Sequence, residues 1–224
     1  MEGIGPIEHL AAATAIAGLR DWLLVADSAD LPLLDGSALP WWSILPAVAG
    51  EEPRKDEFRP VEVQGSRGRI DAVPSTGFEL DVVWTDGPHG PERWRGGRAD
   101  LPGLLPARTF ARADDWWRAR EAGLLRGVGP DSGRLFAPRE GRLPREAVEV
   151  LEREGLAMEG PVWTGGVERV GNECAAHKAL DLVGDIAVAL GYLPPIRITA
   201  RDAGHPLHAQ LGRALRESID RARG

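Results

Sequence analysis

The sequence predicts an α+β fold of helices layered on sheet, and three observations carry that prediction. Residues 58–83 alternate apolar and polar side chains with the period of β-strands. Residues 172–190 instead place Ala176, Leu180, Val183 and Ala187 at three-to-four spacing, the period of a helix with one apolar face. Both halves of the chain show a helix-plus-strand layout without a fixed short repeat. The 28 glycines and 18 prolines divide it into short elements.

Taken in order, Pro6 opens a helix over residues 7–18, with proline suited to the first turn and Gly18 where a C-terminal cap belongs. The apolar run at residues 22–26 reads as a short strand, residues 31–38 as an irregular turn, and residues 41–48 as a second helix. Residues 50–60 are polar, charged and broken by two prolines, which marks a linker. Strands follow at residues 61–63, 69–73 and 78–84, then a turn-rich stretch at 86–97. Helical character returns at residues 111–123, which carry Trp116 and Trp117, and at 144–155. Gly191 ends the helix over residues 172–190, residues 196–200 form a strand, and a last helix starts at His205 or Pro206.

Composition narrows the function. A chain of 224 residues with 43% apolar content can build one large core or two small ones. A net charge of −7 and a pI near 5.3 argue against a nucleic-acid binder, which carries a basic footprint. The lone Cys174 excludes an intramolecular disulfide and fits a reducing, cytoplasmic setting. The longest apolar run, residues 10–19, is too short to span a bilayer, and no basic segment precedes an apolar run as in a secretory leader.

The sharpest chemical signal is the pair His177 and Asp181. Four residues apart on a helix, they share a face and can aim an imidazole and a carboxylate at one point. That donor pair suits zinc, whose catalytic sites take three protein ligands and keep one position open. The spacing alone equally fits a surface ion pair, and Cys174 reads as a small buried thiol. The arginines at 93, 95, 98, 139, 142 and 145 read as solvated surface, and His89 and His208 as solvent-facing turn or helix positions, with a minor part near the site left open for His208, three residues after His205.

Separated segments add a resemblance. Ile7-Glu8-His9-Leu10-Ala11-Ala12, Leu34-Asp35-Gly36-Ser37-Ala38-Leu39-Pro40 and Ala107-Arg108-Thr109-Phe110 stand in order before the segment from Asn172 to Asp185. Ala203-Gly204-His205-Pro206-Leu207 follows. In order and spacing the chain resembles, over nearly its whole length, the UDP-3-O-acyl-N-acetylglucosamine deacetylases of lipid A biosynthesis. The resemblance implies two similar layered helix-on-sheet units with a metal site between them. The first, residues 1–55, is incomplete, and the second, residues 56–224, carries an insertion near 111–142. It implies His9, His177 and Asp181 as zinc ligands and Glu8 as general base. His205 is the proton donor held by Asp185, Thr109 polarises the carbonyl, Phe110 lines the substrate site, and Lys178 faces the nucleotide diphosphate. Trp116 and Trp117 fall in the insertion that forms an acyl passage in the family.

Two departures shape the expectation. The family carries a longer segment before its Glu-His motif, so a second copy of this chain is expected to cover the helix at residues 7–18. Asp202 stands where the family has a lysine near the phosphates, which leaves a smaller N-acyl amine open as substrate. A non-catalytic homologue acting as a binding module is the rival reading. The presence of Glu8, His9, His177, Asp181 and His205 together favours the enzyme.

Overall fold

The computed structural model describes residues 7–20, 22–27, 31–46, 56–124, 132–139, 141–155, 160–164 and 166–223. Pro6, residues 47–48 of the second expected helix and much of the linker at 50–60 lie outside them.

Among the described residues seven strands form in chain order: β1 (Val61–Gln64), β2 (Arg69–Pro74), β3 (Glu79–Trp84), β4 (Glu92–Gly97), β5 (Phe110–Arg112), β6 (Arg134–Phe136) and β7 (Ile196–Arg201). Five make one sheet in the order β1-β2-β7-β3-β4, antiparallel except where β7 runs parallel to β3. Alternation decides which face is apolar. Ile70, Ala72, Leu80, Val82, Ile196, Ile198 and Ala200 are buried, while Arg69, Arg197 and Arg201 between them face water.

The α-helices among the described residues are α1 (Glu8–Ala17), α2 (Leu39–Ile44), α3 (Ala113–Glu121), α4 (Arg145–Arg153), α5 (Glu173–Leu190) and α6 (His205–Arg223). Leu180, Val183 and Ile186 of α5 and Leu211, Leu215 and Ile219 of α6 pack with the sheet residues into one core. The α+β class predicted from the sequence is therefore observed, with helices layered on a sheet. A satellite core of Ala113, Trp116, Leu135 and Leu151 holds α3 and α4 against the parallel pair β5–β6.

Three contacts fix α5, the element that carries most of the site. Its closest neighbour is α1: a Cβ on Gly184 would lie 2.1 Å from the Glu8 carbonyl oxygen, so only glycine permits this approach. At its N-terminus, Asn172 gives no side-chain cap. Instead Glu92 reaches across from β4, and its Oε2 accepts from the backbone N–H of Cys174 at 2.9 Å and of Ala175 at 3.2 Å. A carboxylate there meets both the unpaired amides and the positive end of the helix. Glu173 is fully buried against Arg108, whose Nε donates to Oε1 at 2.8 Å.

Two expectations need correction. Residues 22–26 form no strand: Leu23 and Val25 stand 86% and 84% exposed, because an apolar run without a partner has no ladder to join. The stretch at 86–97, read as turns, contains β4. This strand closes one edge of the sheet, pairs on one side only, and so needs no apolar alternation.

Candidate active site

Glu8 and His9 open α1, and the tight crossing at Gly184 presses that end of the helix onto the middle of α5. His177 and Asp181, one turn apart on α5, meet His9 there. Asp181 Oδ1 lies 3.2 Å from His177 Nε2 and 3.8 Å from His9 Nε2, and the two imidazoles meet edge to face at 5.0 Å. All three residues are buried.

The hydrogen bonds decide what these groups can do. His177 Nδ1 lies 3.2 Å from the Ala107 carbonyl oxygen, an acceptor only, so Nδ1 carries the proton and Nε2 is left with a lone pair. That lone pair faces Asp181 Oδ1, a buried atom with no hydrogen-bond partner among the described residues. Two electron-rich atoms turned toward each other in a dry site call for a cation. Around a tetrahedral ion with ligands at about 2.0–2.1 Å, donors stand roughly 3.3 Å apart. One donor atom from each of His9, His177 and Asp181 lies within 4.8 Å of the others, and the set fits a metal ion. The carbonyl of Ala107 orients the His177 imidazole from behind.

Charges support the same arrangement. Burial pushes His9 down to about 3, so its ring is neutral and able to ligate. Burial opposes ionisation of Asp181, but the neighbouring cations Lys178 and His205 outweigh it and hold the carboxyl well below the usual carboxylate range. Glu8 goes the other way. Burial and the charge of Asp181 raise it above its ordinary value, as suits a base that must take a proton.

His205 stands at the first turn of α6, its Nε2 3.9 Å from Glu8 Oε1 and 3.8 Å from Asp181 Oδ2. Its Nδ1 donates to Asp185 Oδ2 at 2.8 Å, and that bond raises it to about 9 against the opposing effect of burial. The ring is therefore a cation at neutral pH while remaining 49% exposed. An acid and a base face one another across the cluster.

Lys178 curls inward. Its Nζ donates to Asp181 Oδ2 at 2.8 Å and lies 5.5 Å from the Trp84 ring centre and 5.2 Å from that of Phe110. Phe110 meets the His177 ring at 6.1 Å and stacks on Phe136. Thr109 adjoins Phe110 on the same segment, its backbone N–H donating to Gly36. Trp116 and Trp117 belong to the satellite core.

Three features escaped the sequence. Trp84, at the end of β3, joins Phe110 in an aromatic wall, at 5.7 Å between ring centres. Asp202 points into the fold: its Oδ1 accepts from the backbone N–H of Thr85 at 2.7 Å and from the Thr85 hydroxyl at 2.9 Å. Its carboxylate thus ties β7 to β3. His208, expected to face solvent, is 1% exposed and bonded to Asp185; burial against α5 overrides the polarity that suggested a surface position. His89 is exposed as expected. Arg93 pairs with Asp81, Arg145 with Glu149, and Arg139 with Asp86 and Asp115, and Arg98, also exposed, donates to the Leu193 carbonyl.

A metal-fitting triad flanked by a facing acid and base, set where two helices cross on an α+β frame, is the equipment of a hydrolytic enzyme. Comparison with known proteins agrees. The family described as LpxC, UDP-3-O-acyl N-acetylglycosamine deacetylase, matches residues 2–137 and 147–217. Relatives named UDP-3-O-acyl-N-acetylglucosamine deacetylase include one from Synechocystis, 28% identical over 96% of this chain and 74% of its own length. Another, from Thermosynechococcus vestitus, is 31% identical over 93% of this chain and 68% of its own. A third, from Shewanella woodyi, is 30% identical over 95% and 66%. The chain belongs to the UDP-3-O-acyl N-acetylglycosamine deacetylase family. Among the described residues, no helix is long and apolar enough to cross a membrane.

Proposed function

We propose that the chain hydrolyses the N-acetyl amide of a UDP-linked 3-O-acyl-N-acetylglucosamine, with zinc held by His9, His177 and Asp181. The observation that carries the reading is the meeting of Glu8, the buried triad and His205 at one point, from three distant segments. Family membership supplies the substrate class.

An amide resists hydrolysis because its carbonyl is a poor electrophile and its amine leaves badly. When bound, zinc supplies Lewis acidity, polarising an acyl oxygen and lowering the pKa of water towards about 7. Glu8 takes the proton of the attacking water as its oxygen bonds to the acyl carbon. His205, charged through Asp185, stabilises negative charge on the acyl oxygen and donates its proton to nitrogen as the C–N bond breaks. Acetate and the free amine leave. Thr109 polarises the carbonyl, Phe110 lines the site, and Lys178 lies on the side of the diphosphate.

The same reading divides the chain into a first unit at residues 1–55 and a second at 56–224 with its insertion near 111–142. The crossing of α1 on α5 and the separate satellite core support that division. It also pairs the chain with a second copy through its first unit; there residues His9 to Thr14 of α1, expected to need that cover, are already buried within the chain, and the exposed apolar side chains are Leu23, Val25 and Ile44. Sedimentation of the purified chain tests that pairing.

The decisive experiment measures zinc stoichiometry alongside deacetylation of UDP-3-O-acyl-N-acetylglucosamine, for the wild type and Glu8→Gln. One zinc per chain in both, with turnover lowered at least about 100-fold in the variant, is expected for loss of a general base. Bound metal without wild-type turnover on any acyl-amine would overturn the reading.

A further inference from the structure

His208 stands outside the triad and the acid–base pair, yet it is almost wholly buried and spends its ring nitrogen on the same carboxylate oxygen that holds His205. His205 Nδ1 lies 2.8 Å and His208 Nδ1 2.7 Å from Asp185 Oδ2. The two rings meet edge to face at 5.7 Å. Both residues sit in the first turn of α6, where the backbone N–H of His208 donates to the Gly204 carbonyl at 3.1 Å, while Asp185 comes from α5. The bond requires the proton on His208 Nδ1, since the carboxylate is an acceptor only.

We propose that His208 is a positioning residue for the deacetylation: it pins Asp185 Oδ2 from the buried side, and Asp185 in turn fixes the ring of His205. The proposal deepens the proposed function and rests on it. A carboxylate with one donor can turn about its own axis and offer either oxygen. A second donor on the same oxygen removes that choice. The two donors differ in what else they can reach. His205 is 49% exposed and can exchange its bond for one to water, whereas His208, at 1%, has no such alternative. Its bond therefore persists while the substrate site fills and empties, and the acid returns to one orientation.

The test compares His208→Phe, His208→Asn and His208→Gln in the zinc-loaded enzyme. Phenylalanine keeps the ring's shape without a donor. The asparagine amide nitrogen falls where Nδ1 stood, whereas that of glutamine falls near the Nε2 position. The measurements are kcat and KM on UDP-3-O-acyl-N-acetylglucosamine, normalised to bound zinc, and long-range proton–nitrogen spectra of the histidine rings. His208→Phe and His208→Gln are expected to lose about 10-fold in kcat, the lower end for partners that orient an active-site group. KM should stay within about twofold, and His208→Asn should retain most activity. In spectra taken above about pH 9, where the ring loses its charge, His205 should hold its Nδ1 proton in the wild type and in His208→Asn, and mix tautomers in the other two. Wild-type kcat in His208→Phe, or equal damage in His208→Asn and His208→Gln, overturns the proposal. If His208→Phe does not fold, the Asn and Gln pair decides. A wild type without turnover sinks the deacetylase reading, and the ring spectra then decide the role of His208 by themselves.

Discussion

Gly184→Ala isolates the contact on which the site depends. The new methyl carbon would lie 2.1 Å from the Glu8 carbonyl oxygen, where real contacts essentially never fall below 3.0 Å, so the helices must part by about 0.9 Å. The neighbour is backbone and cannot rotate away, and Glu8 and His9 move with it. Stability gains and losses nearly offset: alanine in a helix interior gains about 1 kcal/mol over glycine, and overpacking costs about 1–3 kcal/mol. Net destabilisation should be roughly 0–2 kcal/mol by denaturant titration. Catalysis has no such compensation, because displacing a reacting group by about 1 Å costs on the order of 100-fold. The assay is kcat at saturating substrate, with Gly103→Ala, whose methyl would meet nothing within 4 Å, as control. A Gly184→Ala enzyme within twofold of wild-type kcat would refute the reasoning, since α1 would then not be held to its place by that crossing.

Other expectations follow from the same geometry. His205 is raised from 6.5 to about 9, so the pair with Asp185 adds stability that is fully present below pH 6.5 and is lost as pH rises through about 9. The basic limb of the kcat profile should fall there, and Asp185→Asn should move it to lower pH. Zinc at about 1,000 times its Kd should stabilise the fold by roughly 4 kcal/mol, read as a rise in Tm that chelator reverses and His9→Ala abolishes. Arg108→Ala leaves the fully buried Glu173 without its main partner, and chemical denaturation should show a loss of about 3–5 kcal/mol.

Local pattern reveals some of this molecule and misses the rest for definable reasons. The helix that carries His177 and Asp181 was legible because its period is a property of consecutive residues, and Gly18 capped α1 in the left-handed conformation that glycine favours. Strand β4 was not legible: Glu92-Arg93-Trp94-Arg95 carries no apolar alternation, and only its partner β3 makes it a strand. The opposite error at residues 22–26 has the same root, since hydrophobicity without a neighbour builds no sheet. Asp202 drew notice as a charge beside the site, and its bonds to Thr85 became visible only once β3 and β7 were side by side.

The sequence by itself determined the α+β class, the one-turn spacing that aligns an imidazole with a carboxylate, and the ordered motifs of a deacetylase family. Tertiary structure alone decided that Gly184 lets α1 close on α5, that Glu92 caps the metal-fitting helix, and that His208 is buried on Asp185. The division is physical. Periodicity and spacing are written in neighbouring residues, whereas a close approach between helices, a cap from another strand and a shared carboxylate oxygen exist only between segments that are distant in the chain.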